Sequence, residues 1–121
     1  MAVDLKAKVR DVPDFPQKGV VFRDIMPLLA DAEALQETIA ALGAWGKTKE
    51  PDLVLGAEAR GFILGAAIAR EIGCGFVAAR RRGGRLRVHR RADVPRGSRK
   101  AFEVRPARAH RVLATSAAKG V

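Results

Sequence analysis

The chain is short of the residues on which several common chemistries depend. It has one cysteine, Cys74, and two histidines, His89 and His110. A single cysteine excludes an intrachain disulfide and a multi-cysteine zinc site. Neither histidine has a second His, Cys or carboxylate at ligand spacing, so no metal-binding residues are expected. Neither GxGxxG nor GxxxxGK[ST] occurs. Apolar runs are short and interrupted by charges, far below the roughly 20 residues that cross a bilayer. Residues 1–10 hold no apolar h-region, so no secretory signal is visible. These absences predict no membrane association, and a lone thiol fits a cytoplasmic location. Cys74 lies between Gly73 and Gly75 and reads as a small filler rather than a reactive thiol.

Acidic residues are scarce in one part of the chain only. Residues 1–79 hold nine Lys or Arg and eleven Asp or Glu, whereas residues 80–121 hold fourteen and two; together these give the net charge of +10. A basic segment of this kind is the usual footprint of nonspecific nucleic-acid binding. Its one aromatic, Phe102, is too few for a base-stacking platform. What the chain does have is length for one domain, 121 residues, and 48% hydrophobic residues, enough for a core.

Regular elements are concentrated before residue 80. Residues 2–10 suggest a short helix. Pro13, Pro16 and Gly19 mark residues 11–19 as a loop. Val20 to Phe22 reads as a short extended piece, Asp24 as a partner that orients Arg23, and Pro27 as a break. Asp31 is a good N-cap, and Leu35, Ile39 and Leu42 recur at helical spacing, predicting a helix over about 31–46. "DLVLGAE", 52–58, has the short apolar form of a buried parallel strand. "GFILGAAIAREIG" predicts a helix over about 61–72 with Phe62, Ala66 and Ala69 on one stripe, Ile68 and Ile72 beside it, and Gly73 at C′. "CGFVAA", 74–79, is the next strand, completing a βαβ unit. Residues 80–121 show no sustained period of 2 or 3.6. Their apolar content is confined to fragments such as 102–104 and 112–114, which offer little to offset the entropy of ordering.

In open α/β sheets, ligands bind outside the carboxyl ends of the strands. Here that point is Glu58-Ala59-Arg60-Gly61. A helix N-terminus there favours an anion, Arg60 supplies a fork suited to phosphate, and Gly61 permits close approach of backbone to ligand. Arg80, Arg81 and Arg82 end the next strand on the same edge. Two cationic sites at adjacent strand ends suit a diphosphate. A surface salt bridge is the plainer alternative for Arg60. Glu58 reads as the structural partner of Arg60, with general base as its alternative.

Two strings together carry a family resemblance. "DFPQKGVVFRDIMPLLAD" resembles the N-terminal signature of the adenine phosphoribosyltransferases, and "GAEARGFILGAAIAREIGCGFVAAR" resembles their first phosphate-binding segment with its flanking strands. The resemblance covers about residues 10–82. It implies the N-terminal part of a type I phosphoribosyltransferase-like α/β fold with a Rossmann-like parallel sheet. It also implies the reaction of adenine with phosphoribosyl diphosphate to give AMP and diphosphate, in purine salvage. Mg²⁺ would arrive with the diphosphate substrate, and the protein would be a homodimer. By position, Val21 and Arg23 match residues that contact adenine, and Phe22 matches the aromatic packed on the purine face. Glu58 and Ala59 match the often cis peptide of the diphosphate loop. Arg60, Arg80 and Arg81 match residues that bind diphosphate. No catalytic residue is assigned.

Beyond residue 82 the family pattern stops. The Gly-Lys-Leu-Pro-like turn, the hood with its Tyr and Glu, the Asp-Asp pair and the Gly-Gly-Thr phosphate loop have no counterpart; "LATSAAKGV", 113–121, only echoes the last. The charge jump, the Arg, Ala, Gly and Val enrichment and the abrupt end of the match together predict a shifted reading frame from about residue 83. Residues 1–82 are thus expected to be the N-terminal part of a phosphoribosyltransferase domain, and residues 83–121 an atypical basic tail. The alternatives to an active transferase are an inactive truncated fragment of one and a small basic nucleic-acid-binding protein.

Overall fold

The computed structural model of the chain describes residues 3–83, 85–88, 90–104 and 111–114. It divides into two compact units, Met1–Ala41 and Leu42–Val121.

In the first unit, strands β1 (Arg10–Pro13) and β2 (Val21–Asp24) form an antiparallel hairpin in which Val12 faces Phe22 and Asp11 faces Arg23. Residues 11–13 of the stretch expected to be loop are therefore strand, and the rest is the hairpin connection. The Phe15 N–H donates to the Val20 carbonyl at 3.0 Å, and the Asp14 carboxylate accepts the Gly19 N–H at 2.9 Å. Gly19 has φ +86°, a left-handed conformation that glycine adopts without a Cβ penalty. The Phe15–Pro16 peptide is cis. The helix expected near the N-terminus is reduced to one 3-10 turn, Lys6–Lys8, with no buried residue to hold a longer one. Pro27 begins an element rather than breaking one: it lies in the first turn of α1 (Met26–Ala30), where its missing N–H has no intrahelical role.

Helix α2 (Ala32–Lys47) starts where the sequence predicts. Asp31 accepts the Ala34 N–H at 2.9 Å, and Lys8 Nζ lies 3.0 Å from the other carboxylate oxygen. These contacts hold the Asp31 carboxyl below its ordinary pKa, the Ala34 N–H first and Lys8 after it. Leu28, Ala34 and Ile39 are the buried apolar residues of this unit. The helix continues through residues 42–47 into the second unit.

The second unit is built on a five-stranded sheet ordered β5-β4-β3-β6-β7. These strands are β3 (Leu53–Ala57), β4 (Gly75–Arg82), β5 (Arg85–Val88), β6 (Lys100–Val104) and β7 (Arg111–Ala114). The central trio is parallel, and the two outer strands pair antiparallel. β3 is buried at every position, as a central parallel strand should be. Helix α3 (Arg60–Ile72) connects β3 to β4 and ends at Gly73, φ +93°, whose N–H donates to the Ala69 carbonyl at 2.8 Å.

The buried stripe of α3 is Gly61, Gly65, Ile68 and Ala69, not the expected Phe62–Ala66–Ala69 row; Ala66 is exposed. Glycines carry no hydrophobic signal, so the face they present is invisible to an apolar pattern. A Cβ on Gly61 would stand 2.6 Å from the Val104 carbonyl oxygen, and one on Gly56 2.3 Å from the Gly61 carbonyl oxygen. Helix and sheet therefore meet backbone to backbone at the start of α3. Trp45 packs edge-on against Phe102, centroids 5.4 Å apart, with Lys49 Nζ over its ring.

Residues beyond 82, despite their lack of period, contribute three strands. Ala101, Phe102, Glu103 and Val104 are all buried. Ala101 joins Leu53, Leu55, Val77 and Ala79 in a cluster against which Val88 and Val94 pack. Position explains this: β6 lies between β3 and β7, so each of its residues is enclosed by neighbours that sequence spacing does not reveal. Asp52 fixes the register by accepting the N–H groups of Arg99 and Lys100, at 2.7 and 2.9 Å.

Candidate diphosphate site

The carboxyl end of β3 leads straight into α3, and the joint is tight. The peptide between Glu58 and Ala59 is cis, the geometry that the resemblance implies. The Glu58 N–H donates to the Ala79 carbonyl of β4 at 3.2 Å. Ala59 is the N-cap residue of α3 and makes no side-chain cap. Its carbonyl accepts the Phe62 N–H at 3.1 Å. Arg60 opens the helix and is half-buried. The first-turn N–H groups of α3 and the Arg60 cation thus share one corner of the sheet edge.

Arg80 stands at the neighbouring position of β4, one residue past the Ala57–Ala79 pair. Its Nη1 donates to Glu58 Oε2 at 2.9 Å. Glu58 therefore pairs with Arg80, not with Arg60 as the sequence suggests. The reason is the parallel register, which sets positions 58 and 80 side by side. The Arg80 guanidinium also lies over the Phe62 ring, 5.3 Å from its centroid, and Phe62 in turn meets Phe76 edge-on at 6.3 Å. Phe62 escaped the sequence reading as a site residue. Its place two residues after Arg60 looks like helix core, and only the packing of α3 on β4 gives the ring a cation to carry, Arg80. Arg81 is one residue on, opposite Leu86.

Gly61 also departs from expectation. It is buried against the backbone of β3 and β6, so its missing side chain serves the approach of helix to sheet rather than of helix to ligand. Cys74 is half-buried, and desolvation raises its pKa, which suits the filler role over a reactive thiolate.

The expected adenine residues lie on β2 of the first unit. Val21 is 52% exposed. Phe22 is half-buried and meets Phe15 edge-on, centroids 5.3 Å apart. Arg23 pairs with Asp11 at 3.3 Å across the hairpin, not with Asp24. Adjacent strand residues point to opposite faces, and Asp24 instead holds Arg10 and accepts the Met26 N–H. Among the described residues, no group of three or more His, Cys, Asp or Glu could hold a metal ion, and no helix is long and apolar enough to cross a membrane. His89, His110 and residues 115–121, including most of the phosphate-loop echo, lie outside the described residues.

Known proteins share both the sequence and the fold. The adenine phosphoribosyltransferase of Thermotoga sp. (strain RQ2) is 57% identical over 81 residues, 67% of this chain and 48% of that protein. Over those 81 residues the chain is homologous to the adenine phosphoribosyltransferases. It spans about half the length of the curated relatives that it matches. The adenine phosphoribosyltransferase structure from Thermoanaerobacter pseudethanolicus superposes with a TM-score of 0.72 at 34% identity, over 83% of this chain and 66% of that one. The Saccharomyces cerevisiae adenine phosphoribosyltransferase, solved with an iminoaltritol bisphosphate and adenine, gives the same TM-score at 26% identity and the same coverage of this chain. No family model matches. The likeness of fold, 83% of the chain, reaches further than the likeness of sequence, 67%.

Proposed function

We propose that the chain carries the diphosphate-binding and adenine-binding segments of an enzyme that converts adenine and phosphoribosyl diphosphate to AMP and diphosphate. The observation that carries this reading is the corner made by the α3 N-terminus, Arg60 and the Glu58-held Arg80. In this scheme the bond from ribose C1′ to diphosphate loosens first, and the ribose takes on oxocarbenium character. Arg60, Arg80 and Arg81 stabilise the departing diphosphate electrostatically. Mg²⁺ enters as part of the chelated substrate. Adenine N9 then bonds to C1′. Val21, Phe22 and Arg23 are the residues proposed to contact the base. A homodimer in the cytoplasm completes the proposal.

The test is AMP formation from adenine and magnesium phosphoribosyl diphosphate, with calorimetric binding of inorganic diphosphate alongside. AMP together with diphosphate binding is the expected result. The chain's coverage of about half of its relatives favours a second reading, a fragment that binds diphosphate without turnover; binding without AMP selects it. Failure of both assays overturns both. The charge split of residues 80–121 supports one further property under either reading, nonspecific nucleic-acid binding by the basic segment.

A further inference from the structure

The β4–β5 hairpin places like charges directly opposite each other. Arg80 faces Arg87, and Arg82 faces Arg85, in antiparallel register. Strand alternation puts all four on one face of the sheet, the face over which Arg80 covers Phe62. All four residues are exposed. Directly opposed Cβ atoms lie only about 4.5–5.5 Å apart, where like charges destabilise the pair.

Arg80 has Glu58 to offset its charge. Arg82, Arg85 and Arg87 have no ion-pair partner among the described residues. Little carboxylate is at hand, because residues 80–121 contain only Asp93 and Glu103 as acids, and Glu103 is buried in β6. The hairpin therefore holds a repulsive arrangement that an external polyanion would relieve.

The spacing speaks to which polyanion. Successive rungs are two residues apart, roughly 7 Å along the strand. The sugar–phosphate repeat of an extended single strand can step from rung to rung. The phosphates of a condensed inorganic polyphosphate sit closer together than one rung. No exposed aromatic accompanies the described arginines of the hairpin, so recognition would run through phosphates and be blind to base identity.

We propose that this arginine ladder, Arg82, Arg85 and Arg87 with Arg80 at its inner end, is a binding site for the phosphodiester backbone of single-stranded nucleic acid. The inference rests on the reading that the basic segment binds nucleic acid, and it names the site within that segment. It requires no turnover of phosphoribosyl diphosphate.

The experiment titrates the full chain with a fluorescent oligo-dT at several salt concentrations. Single-strand binding weakens with a log–log slope of about −0.7 per neutralised phosphate. Substituting Arg82, Arg85 and Arg87 together by Gln is expected to reduce the slope by about 2, worth roughly tenfold to twentyfold in affinity between about 50 and 200 mM salt. A control that replaces Arg90, Arg96 and Arg99 by Gln removes the same charge away from the hairpin and is expected to retain most of the slope. If the unsubstituted chain does not bind oligo-dT, the broader reading fails. If it binds and the two triple variants weaken alike, that reading stands and the ladder is overturned. Stronger competition by inorganic polyphosphate at equal charge would overturn the nucleic-acid assignment. A second measurement does not depend on ligand: the denaturant midpoint of the free ladder variant should rise, since opposed like charges have been removed, and a fall counts against the proposal.

Discussion

Arg60 and Arg80 reach the same corner by different routes. Arg60 is carried there by the first turn of α3, while Arg80 is steered by a carboxylate just past the end of β3 and a ring beneath it. A charge-assisted hydrogen bond contributes about 1.5–3 kcal/mol. Arg60→Ala should therefore weaken inorganic diphosphate binding by roughly ten- to a hundredfold. Arg60→Lys should recover only part of this, because an ammonium lacks the planar fork. Isothermal titration calorimetry measures both, and unchanged affinity in the alanine variant would remove Arg60 from the site. The presence of Arg60 at this corner was readable from strand-end position. The Glu58–Arg80 pair was not, since it depends on which residues parallel register sets side by side.

At the scale of elements, the β3–α3–β4 unit was legible because each part carries a local signal: a proline and an apolar run, a helical period, and a glycine stop. β6 offered only the short apolar fragment 102–104, too little to mark a strand. Its five residues are fixed by Asp52, which precedes β3 by one position and grips the N–H groups of Arg99 and Lys100. Those hydrogen bonds hold the Asp52 carboxyl below its ordinary pKa of 3.8, Arg99 first and Lys100 next. The folded value is lower than the unfolded one, so the stabilisation is complete above 3.8 and disappears as the pH falls through the folded value. Asp52→Asn keeps an acceptor but cannot titrate. Its denaturant midpoint should fall less than that of the unsubstituted chain as the pH is lowered from about 5. Parallel curves for the two proteins would show that this contact does not contribute to acid unfolding. Asp31, lowered by the Ala34 N–H and Lys8, should behave in the same sense at the start of α2.

For the whole molecule, likeness of fold outlasts likeness of sequence. The likeness of sequence to the relatives covers 81 residues, yet 85–88, 100–104 and 111–114, beyond the expected end of the resemblance, still extend the sheet. A strand beside β3 needs only apolar residues of suitable size in the right phase, and Ala101, Phe102 and Val104 meet that requirement. Packing can thus tolerate what a phosphate loop cannot. The shifted-frame expectation makes a definite prediction about the gene. A single insertion or deletion near codon 82 should restore a Gly-Lys-Leu-Pro-like turn and an Asp-Asp pair in another frame. Sequencing the coding DNA decides it, and the absence of such a frame refutes it.

The close meeting of α3 with β3 and β6 has a consequence for tolerance to change. Gly61 and Gly56 act as zero-thickness shims: the height of the helix above the sheet is set by what is missing from them. Gly61→Ala would insert a methyl group 2.6 Å from the Val104 oxygen, and overpacking of this sort costs about 1–3 kcal/mol. The Val104 carbonyl is backbone, so relief must come from lifting the first turn of α3. That is the turn proposed above to receive the diphosphate. Gly61→Ala should accordingly lose diphosphate affinity under conditions where circular dichroism still reports a folded chain. Gly75→Ala, with open space around the new methyl, should change neither. The seat of α3 on the sheet is thus calibrated by clearance, and a single methyl group is expected to shift it.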